Sequence, residues 1–268
     1  MAPIPRPAST PDDRWWTLVR GEGPVLATAI HDGHGVRADL ADRFALSPAD
    51  RLREEDPFTG HAIAPAPNRL IAHRSRFEVD LNRDIDSAVY RRPEDCWGLD
   101  VWASPLDDGA VEDSRRYHRR FYAQVRQVLD DMARDFPAFV VLDVHSYNHR
   151  RGGPEAGPTP PGEAPDINIG TFSMPRQRWA HVIDPFIEDL RAFDFMGRRL
   201  DVRENVAFQG KGELTRFVHR NWPDQGCAIA FEFKKFFMDE WTGKPDPEAL
   251  DAMQRLMARA VRVLGRLA

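Results

Sequence analysis

The stretch Ser114–His145, SRRYHRRFYAQVRQVLDDMARDFPAFVVLDVH, decides the fold class. Its first part, Ser114–Phe136, carries apolar side chains at helical spacing, which predicts an amphipathic helix. Its second part, Phe139–Val144, is apolar and rich in valine, which predicts a buried strand that ends at His145. A helix that leads directly into such a strand is the unit from which α/β sheets are built.

Three further apolar runs extend this unit into a sheet. Pro24–Ile30 and Cys227–Phe233 are short and bounded by polar residues, and both predict buried strands. Arg69–Arg76 predicts another strand. Because no linker divides the 268 residues, we expect a single α/β domain over residues 1–268.

Helices and one long loop complete the predicted elements. The segment Ala180–Phe193 predicts a helix, with Asp184 as its cap and Pro185 at its first position. The C-terminal segment predicts an amphipathic helix that begins after Asp246 as its cap. Residues 151–166 are dense in glycine and proline, so they predict an exposed loop, which in a compact domain is often a lid or a binding element.

Charge and composition exclude several classes of function. The formal net charge is −5, which argues against a nucleic-acid partner or an anionic membrane surface. No run of apolar residues is long enough to cross a membrane, and the N-terminal 16 residues contain no apolar signal core. The two cysteines, Cys96 and Cys227, form neither a disulfide framework nor a thiolate zinc motif. We therefore predict a cytoplasmic protein.

Polar side chains that could bind a metal follow or interrupt the predicted strands. His31 and His145 each follow a strand, and Glu232 lies inside one. Open α/β sheets place their sites at such strand ends. A catalytic zinc site needs three protein ligands and an open position for water. Two imidazoles supply two ligands, either Glu55 or Asp56 supplies the third, and Glu232 could take a proton from the water.

Each of these residues also has a simpler interpretation. A histidine after a strand is often only a hydrogen-bond partner in a loop, and Glu232 could pair with Lys234 or Lys235. Two neighbours could extend the site. Asp143 alternates with the second histidine and could orient its ring, and His34 could be an additional ligand.

Arginines cluster in the segment RFEVDLNR, which contains Arg76, Asn82 and Arg83 with Asp80 among them. The planar guanidinium group binds carboxylates in a bidentate manner, so arginines beside a metal indicate a small acidic substrate. Arg216 is a further candidate anchor. The alternative is an ion-pair network on the surface.

The segment SRFEVDLNR, residues 75–83, resembles the SRxxxDLNR signature of the N-formylglutamate amidohydrolases. Other short motifs resemble parts of that family in the same order: IHDGH (30–34), EEDPFT (54–59), LDVHS (142–146), GELTRFV (212–218) and IAFEF (229–233). The resemblance implies a zinc carboxypeptidase-like, three-layer α/β/α fold with a mixed, mostly parallel central sheet. It also implies hydrolysis of the carbon–nitrogen bond of a linear amide, typically N-formyl-L-glutamate in histidine breakdown.

The resemblance also implies roles for individual residues. His31, Asp56 and His145 become the ligands of Zn2+, with Glu55 as the rival of Asp56, and Glu232 becomes the general base. The implied substrate contacts are Arg76, Asn82, Arg83 and Arg216. Two alternatives remain: a zinc peptidase or deacylase that acts on a short peptide or an acylated amino acid, and a non-catalytic binding protein with the same fold.

Overall fold

The computed structural model describes residues 15–268. The expectation about an N-terminal signal falls almost entirely on residues 1–14, which lie outside the described residues. The strands are β1 (Trp16–Val19), β2 (Val25–Ala29), β3 (Asn68–Ala72), β4 (Phe139–Tyr147), β5 (Ile167–Gly170), β6 (Asp194–Phe195), β7 (Arg198–Arg199), β8 (Val202–Glu204) and β9 (Gly226–Lys234). The helices are α1 (Ala38–Ala41), α2 (Pro48–Glu54), α3 (Thr59–Ala62), α4 (Asp108–Asp135), α5 (Ala180–Ala192), α6 (Glu213–Asn221) and α7 (Pro247–Leu267), with a 3-10 turn at Pro93–Asp95.

One mixed sheet of seven strands organises the molecule, in the order β1-β3-β2-β4-β9-β5-β8. The four strands β3, β2, β4 and β9 are mutually parallel, whereas β1 and β5 run antiparallel to their inner neighbours. The strand β8 pairs in parallel with β5 at the far edge. Because the four central strands end at the same edge, side chains at their carboxyl ends are brought together.

Helices cover both faces of the sheet, which confirms the predicted α/β/α layers. Along β4, Val140, Leu142 and Val144 belong to a buried cluster with side chains of α5 and α7. The alternate residues Phe139 and Val141 belong to a second cluster with side chains of α4 and α6. Both faces of the strand are therefore apolar, as is usual for a parallel strand between helical layers.

Most predicted elements are confirmed with shifted ends. The helix predicted at Ser114–Phe136 is α4, which begins at Asp108 because the Asp107 side chain caps it through the Ala110 amide. The predicted Asp246 cap of α7 is present and accepts from two backbone amides. Residues 151–166 contain turns and bends but neither helix nor strand. The strand predicted at Arg69–Arg76 ends at Ala72, where the chain turns towards the loop after β2.

The predicted start of α5 is wrong. This helix begins at Ala180, so Pro185 lies inside it instead of at its first position. A proline inside a helix removes one hydrogen bond and costs roughly 3 kcal/mol or more. The earlier start buries Val182 and Ile183 in the core, and each such side chain contributes about 1.5–3 kcal/mol. Burial of these two residues offsets the cost of the proline.

Among the helices of residues 15–268, none combines the length and the apolar character needed to span a bilayer.

Candidate metal-dependent active site

The predicted site residues meet at the carboxyl ends of β2, β4 and β9. His31 lies just after β2, whereas His145 and Glu232 lie within β4 and β9. The α-carbons of His145 and Glu232 are direct partners in the parallel β4–β9 register. Registered neighbours in a sheet project to the same face, and on β4 this is the face that packs against α4 and α6.

His31, Asp56 and His145 form a compact buried group. One potential ligand atom from each residue lies within 4.8 Å of the other two, so the three residues could hold a metal ion. The Asp56 Oδ2 atom is 2.9 Å from His145 Nδ1 and 3.3 Å from His31 Nδ1. The three side chains are nearly inaccessible to solvent.

A short turn brings Asp56 to the histidines. The Asp56 amide donates to the carbonyl oxygen of His31 at 2.9 Å, which ties the turn to the end of β2. Phe58 has the left-handed conformation with φ of 69°, and it reverses the chain into α3. The Thr59 hydroxyl donates to the Asp56 carbonyl at 2.7 Å and closes the turn.

A carboxylate lies behind each histidine. His31 Nε2 is 2.7 Å from Asp80 Oδ1, and His145 Nε2 is 2.9 Å from Asp143 Oδ2. Asp143 also accepts a hydrogen bond from the Thr28 hydroxyl at 2.7 Å. Histidines that bind metals usually donate their second nitrogen to such a carboxylate, which fixes the tautomer and the orientation of the ring. Both rings therefore direct Nδ1 towards Asp56.

One buried atom indicates that these residues fit a metal. His31 Nδ1 has no hydrogen-bond partner among the described residues, although it is buried and faces the Asp56 carboxylate. A buried polar atom without a partner is costly, and native proteins rarely leave one unsatisfied. A cation bound between the three residues would satisfy it, and two imidazoles with one carboxylate match the ligand types of zinc.

The charge state of Asp56 also suits a ligand. Burial by itself raises the pKa of a carboxyl group, but the hydrogen bond with His145 and the adjacent His31 ring outweigh this effect. The pKa of Asp56 is consequently held well below its ordinary value. The side chain is therefore an anion at neutral pH, the form that binds metals.

Glu232 lies beside the group in an apolar strand. The pKa of Glu232 is raised to about 8, chiefly because the side chain is buried. The neighbouring His145 opposes this rise, and the carboxylates of Asp56 and Asp143 add to it. The alternative pairing with the adjacent lysines is not the observed arrangement. Lys234 contacts Asp166 and the Ala164 carbonyl, and Lys235 donates to backbone carbonyls of the segment that leads to Asp56.

The structure separates Glu55 from Asp56. The two oxygens of Glu55 contact His34 Nδ1, at 2.5 Å, and the Ser75 hydroxyl. The group around His31 and His145 therefore contains Asp56 but neither Glu55 nor His34. The two acidic residues are adjacent in sequence but face different histidines.

Two of the four predicted substrate contacts, Arg76 and Arg83, approach one carboxylate, that of Asp80. Arg76 is mostly buried and donates to Asp80 at 2.9 Å, and Arg83 lies 3.5 Å from the same carboxylate. Arg216 is half exposed and pairs with Glu213 in α6. Of the four, Asn82 lines the cavity that contains Glu232.

That cavity has a volume of about 330 Å3 and lies between the sheet and the loop before α6. Asp143 and Glu232 form its inner wall, and the loop residues Phe208 and Lys211 form part of its outer wall. Its size is at the lower end of the range for small-molecule sites, about 300–1,000 Å3. The sequence patterns did not single out Lys211, although it directly precedes the GELTRFV motif.

Comparisons with known proteins identify the family and the fold of the chain. The family model described as N-formylglutamate amidohydrolase matches residues 23–237. The chain is similar to the solved structure of an N-formylglutamate amidohydrolase from Ralstonia eutropha JMP134, with 18% sequence identity, a TM-score of 0.71, and coverage of 94% of this chain and 97% of that one. It is also similar to a gene product from Agrobacterium tumefaciens, with 16% identity, a TM-score of 0.64, and coverage of 93% and 95%. At these identities the two structures support the fold alone.

A comparison with curated proteins finds no match. The family model nevertheless extends over most of the chain and includes every residue of the buried His-Asp-His group, as well as Glu232. This chain therefore belongs to the N-formylglutamate amidohydrolase family and is an amidohydrolase.

Proposed function

We propose that the chain is a zinc-dependent enzyme that hydrolyses the carbon–nitrogen bond of a linear amide, most specifically N-formyl-L-glutamate or a related N-acyl amino acid. The observation that carries the proposal is the buried group of His31, Asp56 and His145 directly beside Glu232. Membership of the family supports the type of reaction.

In the proposed site, His31, Asp56 and His145 would hold the metal. When bound there, zinc would polarise the scissile carbonyl and lower the pKa of water to about 7. Asp80 and Asp143 keep the two imidazole rings in the required tautomer and orientation.

Glu232 is proposed as the general base. It accepts a proton from the water that attacks the carbonyl carbon and transfers it to the nitrogen as the carbon–nitrogen bond breaks. For N-formyl-L-glutamate, the products are formate and glutamate. Its position beside His145 and at the wall of the cavity supports this role. A cation bound by the neighbouring His145 would lower the raised pKa of Glu232 and favour the ionised form that accepts a proton.

Asn82 is proposed to contact the substrate from the cavity wall. The roles of the three arginines stay predictions: Arg76 would stabilise the developing oxyanion, and Arg83 or Arg216 would hold a substrate carboxylate. Histidine breakdown as the metabolic setting and the cytoplasm as the location stay predictions as well.

The proposal is tested by adding N-formyl-L-glutamate, other N-acyl amino acids and dipeptides to the zinc-loaded protein. We expect the highest kcat/KM for N-formyl-L-glutamate or a close N-acyl relative, and loss of turnover after chelation of the metal. Preference for dipeptides would favour the peptidase alternative. Failure of the zinc-loaded protein to hydrolyse any of these amides would overturn the proposal.

A further inference from the structure

Lys211 is unusual among the cationic residues of this chain. The sequence contains 37 lysines and arginines, of which only Lys211, Lys234, Lys235 and Lys244 are lysines. Lys234 and Lys235 are occupied by backbone carbonyls and by Asp166. Lys211 is instead exposed at the mouth of the cavity that contains Glu232.

The ammonium group of Lys211 has no carboxylate partner among residues 15–268. Its contact is with the ring of Phe172, whose centroid lies 4.1 Å from Nζ. Phe172 is itself 62% exposed, and Lys211 is exposed as well, so this contact leaves the ammonium accessible from solvent. The predicted arginines differ, because Arg76 and Arg83 approach Asp80 and Arg216 pairs with Glu213.

The loop that carries Lys211 is held in place by packing. Gly210 has φ of 76°, and a Cβ built on it would lie 2.6 Å from the backbone of Gly170 in β5. The Asn168 side chain also accepts from the amides of Val206 and Ala207 in the same loop. The ammonium therefore extends from a fixed backbone position, which suits a specific contact.

Lys211 is the cationic side chain among the residues that line this cavity. Asp143 and Glu232 lie in its inner wall, and Lys211 is the charged residue on the opposite side. A substrate whose amide lies beside Glu232 would place its distal end towards the mouth. An anionic distal group would be attracted there by the ammonium of Lys211, which offsets the negative charge of Asp143 deeper in the cavity.

We propose that Lys211 binds the side-chain carboxylate of the substrate, so that the enzyme selects N-acyl derivatives of acidic amino acids over neutral ones of the same size. This inference rests on the proposed function for its substrate class. Lys211 is a specificity-determining residue in this account and takes no part in proton transfer.

The kinetic test compares N-formyl-L-glutamate with N-formyl-L-glutamine, which has the same size but a neutral side chain. Lys211→Met should raise KM for the glutamate compound by about tenfold or more with little change in kcat, because a charge-assisted hydrogen bond is lost. It should leave KM for the glutamine compound nearly unchanged, and Lys211→Arg should retain most of the preference. Lys244→Met, at an exposed lysine outside this cavity, is the matched control and should behave like the wild type.

A binding measurement that needs no turnover separates this inference from the proposed function. Calorimetric titration of the zinc-loaded protein with glutarate should show weaker binding for Lys211→Met by about tenfold, and no change for Lys244→Met. Two outcomes would overturn the inference. One is that the wild type and Lys211→Met show the same preference between the two substrates. The other is that both proteins bind glutarate equally well, or that neither binds it. Selective glutarate binding without hydrolysis of any amide would instead overturn the proposed function.

Discussion

Asp80 Oδ1 lies 2.7 Å from His31 Nε2, and this contact turns the opposite nitrogen of the ring towards Asp56. The second oxygen of Asp80 accepts from Arg76 at 2.9 Å and from the Tyr90 hydroxyl. Burial raises the pKa of Asp80, but Arg76 and His31 outweigh this and hold it well below its ordinary value. Asp80 is thus a fixed anion behind His31.

We predict that Asp80→Asn weakens zinc binding by about 10- to 100-fold, because the neutral amide orients the imidazole less firmly and makes it less basic. Competition with a chromophoric chelator measures the affinity. The exposed neighbour Asp84 provides the control variant Asp84→Asn, which should bind zinc like the wild type. Equal zinc affinity in Asp80→Asn and the wild type would show that Asp80 does not orient His31 for metal binding.

Glu232→Gln tests the general base. The amide keeps the shape of the side chain but cannot accept the proton of the attacking water, so we predict a fall in kcat of about 10²- to 10⁴-fold. Zinc content should stay at the wild-type level, since Glu232 is outside the ligand group. Near-normal turnover, or a loss of zinc from the variant, would show that the role is assigned wrongly.

Lys235 should give the protein a pH-dependent stability. It is almost fully buried, and burial lowers its pKa from 10.5 to about 8. The unfolded chain therefore binds more protons between these two values, so the free energy of unfolding should rise as pH increases from 8 to 10.5. The full difference corresponds to about 3 kcal/mol as an upper bound.

Denaturant unfolding of the wild type and Lys235→Met at pH 8 and pH 10 isolates this effect, because other titrating groups contribute equally to both proteins. The wild type should gain stability relative to the variant at the higher pH. The same change with pH in both proteins would contradict the lowered pKa. The variant should also bind zinc less tightly, since Lys235 holds the carbonyls of Arg53 and Glu55 just before Asp56.

Gly33 is required by the close approach of two loops. A Cβ at this position would lie 2.2 Å from the carbonyl carbon of His73, a backbone atom that cannot move aside alone. We predict that Gly33→Ala destabilises the protein by about 1–3 kcal/mol and disturbs the loop that carries His31. Gly157→Ala, where nothing lies within 4 Å of the added carbon, is the control for thermal unfolding. Equal stability of the two variants would show that the loops separate easily.

Much of the site was predictable because polar residues at the ends of apolar strands converge in a parallel sheet. His145 and Glu232 were inferred on that basis, and their direct register in β4 and β9 agrees with it. The fold class followed from the same alternation of helix and strand. The metal-binding roles themselves stay proposals.

Other features depend on contacts that local sequence does not encode. The choice between Glu55 and Asp56 depends on the left-handed Phe58 and on the capture of Glu55 by His34 and Ser75. The start of α5 was predicted wrongly because Pro185 is typical of a first helical position. The burial of the first turn of α5 in the core cannot be read from the local sequence. The cation at the cavity mouth, Lys211, required knowledge of which arginines already pair with carboxylates of the protein.

Metal content is the most direct test of the central claim that His31, Asp56 and His145 bind zinc. Elemental mass spectrometry should find about one zinc per chain in the wild-type protein after reconstitution, as expected for a site with three protein ligands. The double variant His31→Ala/His145→Ala should contain almost none while remaining folded by circular dichroism. Absence of zinc from the reconstituted wild type, or equal zinc in the folded double variant, would contradict the account.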